Sequence, residues 1–551
     1  MTRLIRRVRG YVQHHGVAYT LVRSAEKFAE RVLRTYDRAW QQMKTTEDEL
    51  QRQRENPVPA GLISVVVPVY NTDPAMLMEL IDSLLAQTYS DWEAVLFNDC
   101  STKQVTLDAL KAAGEKDPRI KVYHGEKNQG ISGGSNSAVA LARGEWIALL
   151  DHDDLLTPDA LWRVAGVIRD RQPDLIYSDE DKITQNGAIH TDPHFKPDFC
   201  PDNLRSGNYF CHLMVIRKTL IQQAGGFRTA FNGSQDHDLA LRCIELTDKV
   251  EHIPYVLYHW RTVGSSVSHQ NLMRCVDAAC RAVTEHMGRV GWPGTASFEM
   301  GNIRLRYDIK GSPSVGVYIF GESDEALYNA KTHFLQMDWP NYIIYLKKID
   351  EAGRYAAMNR AAEEATEDVL LMLDASVAVK DPCFITELLM YAQRDDVGAV
   401  TPKLIDRRGR ITHGGFAVGM DGMAQCRQEG LPHHANGWHL LMRTSHNVAA
   451  VSAACLMVRR DHFVPFDEDF RTGLGGVDWS LKMLRSGYRH VFTPHALAVC
   501  EDRKLLLSGV MRDRDDAFRY IKRWQVEPDP CYSHVYSREK ADYRLAGKNK
   551  R

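Results

Sequence analysis

Short runs of consecutive apolar residues alternate with amphipathic stretches from about residue 60 onward. ISVVVPVYN, Ile63 to Asn71, predicts a buried strand stopped at Pro68, Met76 to Gln87 carries a helical period, and WEAVLFNDCS predicts a second strand ending on Asp99. Within GEWIALLDHDD, Gly144 to Asp154, the apolar residues Trp146 to Leu150 predict a further strand that gives way at once to three carboxylates. Thr157 and Pro158 then offer a cap and a first helical position. Strand, helix and strand with polar strand ends predict an open α/β sheet, in which ligands bind at the carboxyl edge of the strands. Residues 1 to about 60 read as helical, with Phe28, Val32, Tyr36 and Trp40 on one face. At the other end, residues 512–551 predict an amphipathic helix (Phe518, Ile521, Trp524), an irregular DPCYSHVYS segment packed back on the preceding domain, and an unstructured AGKNKR terminus.

The polar strand ends carry the candidate chemistry. Asp151 and Asp153, two apart on a strand-to-helix loop, can face one divalent cation with oxygen ligands, and that cation can hold a diphosphate. The alternative is a solvated acidic turn that starts the next helix. Tyr70 can cover a base and Asp99 can accept from a pyrimidine N3–H; a core tyrosine and an ordinary turn aspartate are the plain alternatives. NQGISGGSN, Asn128 to Asn136, has residues small enough for backbone to approach a ligand, with a helix from Ser137 to Ala142 after it. Its spacing matches neither a Rossmann fingerprint nor a P-loop, which argues against dinucleotide or ATP use.

Composition narrows the class. A chain of 551 residues is too long for one core and suggests two to four domains, and 44% hydrophobic with 25% charged residues describes a folded protein. A net charge of -2 gives no global electrostatic case for nucleic acid. Eleven cysteines without a C-x-x-C pair read as reduced thiols of a cytoplasmic protein. No run approaches the roughly 18 apolar residues of a membrane span, and MTRLIRRVRG lacks the apolar core of a signal peptide. Residues 1–44 hold ten Lys/Arg against Glu26, Glu30 and Asp37. That balance suits peripheral contact with an anionic inner-membrane surface; a helix docked on the catalytic domain or on a second copy of the chain is the alternative.

Taken in order, the motifs PVYN (Pro68 to Asn71), NDCST (Asn98 to Thr102), NQGIS (Asn128 to Ser132), LLDHDDLLTPDAL (Leu149 to Leu161), IYSDEDK (Ile176 to Lys182), FKPDFCPD (Phe195 to Asp202), GSQDHDLALR (Gly233 to Arg242) and YHWRTVGSS (Tyr258 to Ser266) resemble the inverting family 2 glycosyltransferases of GT-A fold. The likeness is closest to bacterial two-domain enzymes of O-antigen, capsule and rhamnan-type polysaccharide synthesis. It implies a donor-nucleotide set of Pro68, Tyr70, Asn71, Asp99, Gly133, Asn136 and Asp151, with Tyr70 and Asp99 on the nucleobase. It further implies Asp153 and His259 on a Mn2+ or Mg2+ ion, and Asp236 as the general base on the acceptor hydroxyl. Asp179, Asp181, Gln235, Trp260 and Arg261 would belong to the donor-sugar or acceptor pocket. For SDED, Ser178 to Asp181, a pocket-lining loop, plain solvated acids and a second metal cluster all stay open. The chemistry of these residues agrees: a sugar hydroxyl needs a positioned carboxylate to attack, and a departing diphosphate needs counter-charge. Asp236 also reads as the N-cap of a helix whose Leu239, Leu241 and Ile244 face inward.

Residues 312–500 repeat the pattern. ARGEWIALLDHD is echoed by ATEDVLLMLDAS, and one offset of 223 residues relates both Asp151 to Asp374 and Asn136 to Asn359. LMVIRK is echoed by CLMVRR and DHDLALR by GVDWSLK. On these anchors PVYN becomes YIFG (Tyr318 to Gly321), Asp99 falls near Ile349, Asp153 becomes Ser376 and Asp236 becomes Gly476. His413, His433, His434, His439 and His446 enrich this half in histidine without zinc-site spacing. The expected architecture is therefore α/β: tandem GT-A domains, Rossmann-like and of nucleotide-diphospho-sugar transferase type, the second degenerate. The expected divisions are a helical extension at 1–60, a catalytic domain at 61–311, the second domain at 312–505 and a helical tail at 506–551. The expected partners are a UDP- or dTDP-sugar donor, a lipid-linked or oligosaccharide acceptor and a second copy of the chain, but no nucleic acid. A polymerase using both halves and a non-catalytic scaffold are the competing functions.

Overall fold

The structure, a computed structural model, describes residues 35–262, 272–507, 513–525 and 528–546. Phe28, Val32 and the basic stretch before residue 35 lie outside the described residues, as do residues 263–266 of the YHWRTVGSS motif and the last five residues. The chain divides into two compact units, one ending at Val290 and the other comprising Cys200–Gly207 and everything from Gly291. The division falls before residue 311 because a hairpin that precedes it belongs to the second unit, where the Asn302 amide donates to the carbonyl of Arg443 at 2.6 Å.

The first unit is a nine-stranded sheet of β1 (Ile63–Val69), β2 (Trp92–Asn98), β3 (Ile120–His124), β4 (Trp146–Leu149), β5 (Leu155–Leu156), β6 (Leu175–Ile183), β7 (His190–His194), β8 (Met214–Arg217) and β9 (Val250–Arg261). Its order is β3-β2-β1-β4-β8-β6-β9-β5, with β7 on β6. β3, β2, β1 and β4 run parallel, and β8 enters antiparallel between β4 and β6. All seven residues of β1 are buried, as expected of a parallel strand covered on both faces. Its single polar residue, Ser64, donates to Glu93 at 2.7 Å and accepts from the Gly144 amide at 2.8 Å. A Cβ on Gly144 would lie 2.5 Å from the Leu62 carbonyl, so the residue that leads into β4 has to be glycine.

Several elements differ from expectation. SDED is neither a loop nor solvated: Ser178 to Asp181 lie within β6 and all four are buried. The helix after NQG begins at Gly130 and runs to Leu141. Thr157 and Pro158 precede a helix, Ala160–Arg171, that starts on Asp159. Tyr36 and Trp40 occupy a helix, Thr35–Met43, that packs against β7.

The second unit carries hairpin β10 (Gly294–Glu299) and β11 (Asn302–Tyr307), then β12 (Val315–Gly321), β13 (Tyr342–Lys348), β14 (Val369–Asp374), β15 (Ala378–Val379), β16 (Val397–Ile405) and β17 (Ile411–His413). A small hairpin, β18 (Phe416–Met420) and β19 (Met423–Cys426), precedes β20 (His446–Val448), β21 (Cys455–Arg459) and β22 (Arg489–Val499). The main sheet runs β13-β12-β14-β21-β16-β22-β15. That is the order of β2-β1-β4-β8-β6-β9-β5, with every pair in the same sense; among the described residues β3 has no counterpart in the second sheet and β20 none in the first. Register corrects one anchor. Ile63 faces Trp146 as Val315 faces Val369, so PVYN corresponds to FGES, Phe320 to Ser323, rather than YIFG. The tail helix, Arg514–Trp524, buries Tyr520 and Trp524, while Phe518 and Ile521 are exposed. Trp524 Nε1 donates to Asp478 at 2.9 Å, a buried polar anchor that outranks the apolar stripe in fixing which face turns inward.

Candidate active site

The loop after β4 and the helix Gln235–Cys243 open onto one cleft, lined among others by Pro68, Asp151, Cys211, His212, Gln235 and Asp236. Asp236 sits in the first turn of its helix, two residues past the N-cap, which is Ser234 rather than Asp236 itself, and accepts a hydrogen bond from Asn208 Nδ2 at 3.0 Å. Half of the Asp151 side chain is exposed, and its Oδ2 lies 3.8 Å from His212 Nε2. Desolvation by the surrounding cleft walls, then the nearby Asp153 and Asp236 charges, push the Asp151 carboxyl up from its ordinary value although the side chain keeps a solvent-facing half, with His212 pulling the other way. His212 stacks on Tyr258, with centroids 4.6 Å apart, and its Nδ1 is 3.3 Å from Glu180. Burial pulls the imidazole down, but Glu180, Asp151 and Asp154 outweigh it and raise His212 to about 9. Asp153 remains partly exposed beside His152. Asp154 is the loop's anchor: buried, it accepts from Tyr258 Oη at 2.6 Å and from the Arg261 amide at 2.7 Å.

Pleating of β9 separates residues expected together. Tyr258 and Trp260 turn to the His212 side, the Trp260 ring lying 5.5 Å from the imidazole. His259 turns the other way, its Nδ1 2.6 Å from Asp181, so it does not join Asp153. Arg261 is buried and fully used, bonding Glu79, the Asp153 carbonyl and the Gln185 carbonyl, which makes it a brace for the acidic loop. Asp179 accepts from the Lys196 amide and faces His252 at 2.9 Å, away from the cleft; Asp181 faces His190 and His259. Among the SDED acids it is Glu180 that reaches the cleft, through His212.

Three of the residues expected on the nucleotide, Asn136, Asn71 and Asp99, hold backbone. Asn136 donates to the Phe227 carbonyl and accepts from the Phe227 amide, both at 2.8 Å. Asn71, at φ 52°, accepts from the amides of Thr102 and Lys103 and so ties two strand ends together. Gly133 lies inside the helix, where a Cβ would meet the Gln129 side chain at 2.4 Å. The buried Asp99 accepts from the amides of Gln129 and Gly130, both at 2.8 Å, and thereby starts that helix seven residues early. Tyr70 is 46% exposed at the end of β1, a ring face open to a ligand. Gln235 lines the cleft and accepts from the Gly233 amide.

His212, Cys211, Asn208 and Tyr258 were not singled out from sequence. Antiparallel β8 brings its own start beside the end of β4, and nothing in CHLMVIRK reveals that pairing. The visible signal was a histidine and a cysteine abutting an apolar strand.

The acids of the strand-end loop and the helix-borne Asp236 thus share one cleft of the mixed α/β sheet. Residues 64–222 match the Glycosyl transferase family 2 model. The chain is 30% identical over 206 residues to an uncharacterized glycosyltransferase of Methanocaldococcus jannaschii, covering 36% of this chain and 70% of that one. It belongs to glycosyl transferase family 2. It is also 34% identical over 567 residues to the uncharacterized protein y4gI of Sinorhizobium fredii, covering 94% of this chain and 62% of that one. To the O-antigen biosynthesis protein RfbC of Myxococcus xanthus it is 32% identical over 468 residues, covering 78% and 36%. The chain thus spans less than two thirds of the length of these last two relatives. Among the described residues, no helix is long and apolar enough to cross a membrane.

Proposed function

We propose that the first unit transfers a sugar, with inversion, from a UDP- or dTDP-sugar to a hydroxyl of a growing bacterial surface glycan of O-antigen or capsule type. The observation that carries the reading is the single cleft shared by Asp151 and Asp236. Asp236, oriented by Asn208, receives the proton of the acceptor hydroxyl as that oxygen attacks the anomeric carbon and the diphosphate departs. Tyr70 supplies a face for the base. Oxygen donors on a partly exposed loop fit a hard divalent cation, so Asp151 and Asp153 are the residues to hold Mn2+ or Mg2+, which would supply counter-charge to the departing diphosphate. The surface-glycan assignment takes its support from the likeness to the O-antigen biosynthesis protein RfbC, and the acceptor on this reading is lipid-linked or an oligosaccharide met at the cytoplasmic face of the inner membrane.

The second unit on this reading assembles or holds the acceptor without catalysing transfer. Ser376 stands at the position of Asp153 and Gly476 at that of Asp236, and Asp374, the counterpart of Asp151, is ion-paired by Arg354. The test is calorimetric titration of nucleoside diphosphates and sugar nucleotides with and without Mn2+. Binding that strengthens with Mn2+ in the wild type but not in Asp153→Ala supports the reading, and identical curves in both remove the cation from it.

A further inference from the structure

On the face of the sheet turned away from the cleft, three adjacent strands of the first unit bring a carboxylate and two imidazoles to one point. Asp181 of β6 lies 2.6 Å from Nδ1 of His259 on β9 and 2.9 Å from Nδ1 of His190 on β7. All three ligand atoms fall within 4.8 Å of one another. Asp181 is fully buried, and the two imidazoles keep only a small exposed edge. The helix Thr35–Met43 closes the cluster: Tyr36 Oη donates to Asp181 at 2.8 Å, and Trp40 packs on both imidazoles with centroids 5.0 and 5.1 Å away. Asp37 of the same helix accepts from the His190 amide at 3.0 Å.

We propose that Asp181, His190 and His259 bind a borderline divalent ion of the Zn2+ class, as a structural clasp separate from the cation of the transfer site. Two imidazoles and one carboxylate are the donor set that Zn2+, Co2+ and Ni2+ take up and that Mg2+ does not favour, whereas the all-oxygen pair Asp151 and Asp153 suits the harder ions. In the tautomer with its proton on Nε2, each imidazole turns an Nδ1 lone pair toward the ion. Tetrahedral coordination at about 2.0–2.2 Å requires N···O separations of about 3.3 Å, so the ligands open by roughly half an ångström from their hydrogen-bonded spacing. Tyr36 Oη or a water completes the set. Such an ion would tie β6, β7 and β9 together under the Thr35–Met43 helix, and β9 is the strand that turns Tyr258 and Trp260 toward His212.

The test uses the full chain, stripped with a chelator and reloaded. Titration with Co2+ should give the intense visible band of a tetrahedral ion at one equivalent, displaced by Zn2+. Mass-spectrometric metal analysis after gel filtration should find one Zn2+ in the wild type and in Asp153→Asn, and none in Asp181→Asn, His190→Gln or His259→Gln. Zn2+ should also raise, and chelator lower, the wild-type melting temperature, a readout that does not depend on any variant folding. A wild type that retains no Zn2+ and melts at the same temperature in chelator overturns the proposal, and so do folded variants that hold as much Zn2+ as the wild type. Loss of Zn2+ in Asp153→Asn would assign the ion to the transfer site instead and equally overturn it.

Discussion

Asn136 gives the sharpest test of whether a residue in a glycosyltransferase motif serves the ligand or the fold. Its amide makes both hydrogen bonds to Phe227, and the same clamp recurs in the second unit. There Asn359 donates to the Phe466 carbonyl at 3.0 Å and accepts from the Phe466 amide at 2.8 Å. Phe227 and Phe466 are buried, so truncation leaves an amide and a carbonyl without partners in each case. Two lost bonds at about 1 kcal/mol each, plus the desolvation of the stranded groups, put Asn136→Ala and Asn359→Ala at about 2–4 kcal/mol apiece. For units of this size that is a fall of roughly 5–15 °C in the corresponding transition. Differential scanning calorimetry of the full chain should show the earlier-melting unit change with the substitution, and nucleotide affinity measured well below that temperature should stay within twofold for both variants. An Asn136→Ala protein that melts like the wild type yet binds nucleotide tenfold more weakly would refute the clamp and return Asn136 to the donor site.

The other expectations are independent of that clamp. Asp236→Asn keeps the size of the side chain and its contact with Asn208, so transfer should fall by about 10²–10⁴ with nucleotide affinity intact; turnover within twofold of wild type would remove Asp236 as the base. His212, at about 9 in the fold and near 6.5 unfolded, contributes stability that is fully present below about pH 6.5 and lost as pH rises through 9, about 3 kcal/mol in all. Denaturation midpoints of the wild type should therefore drop across that window and those of His212→Asn should not; parallel curves would sink the assignment. Arg354→Ala leaves Asp374 buried and unpaired in the second unit, which should cost about 3–5 kcal/mol of that unit's stability, read by calorimetry, without creating Mn2+ affinity.

How far the sequence could be read depended on how local the determining physics is. The apolar runs of β1, β2 and β4 and the acids at the end of β4 declare themselves, because a strand buried on both faces needs an unbroken apolar run. The helix start at Gly130 is not legible in its own segment because it is set by Asp99, thirty residues away, overriding the poor propensity of three glycines. SDED reads as loop or surface because four polar residues seldom form a buried strand. Here each acid has a histidine: His252 for Asp179, His212 for Glu180, His190 and His259 for Asp181, and all but His190 come from distant parts of the sequence. The site acids were legible by motif, but the face on which His259 lies depends on the pleat and register of β9, and a shift of one residue would exchange it with Tyr258.

Comparison of the two units separates what the fold requires from what the chemistry requires. Both keep an aspartate in the corresponding helix that pairs with a cation one turn on, Asp238 with Arg242 and Asp478 with Lys482. Both keep the asparagine clamp. Those residues face backbone or other protein groups, and any sequence that folds this way has use for them. The positions that differ include the two acids of the candidate chemistry, Asp153 (Ser376) and Asp236 (Gly476), together with Asp99 (Ile349), which starts the Gly130 helix, and His259 (Val499), which faces Asp181. Asp374 is the exception, an acid retained where the rest of the constellation is gone. Its partner explains the retention, because Arg354 stands at the position of Ile131, an apolar lining residue of the first cleft, and supplies a guanidinium to the carboxylate. The aspartate has thus passed from holding open an acidic edge to closing an internal ion pair, and a charge already neutralised from within has little left to offer an incoming cation.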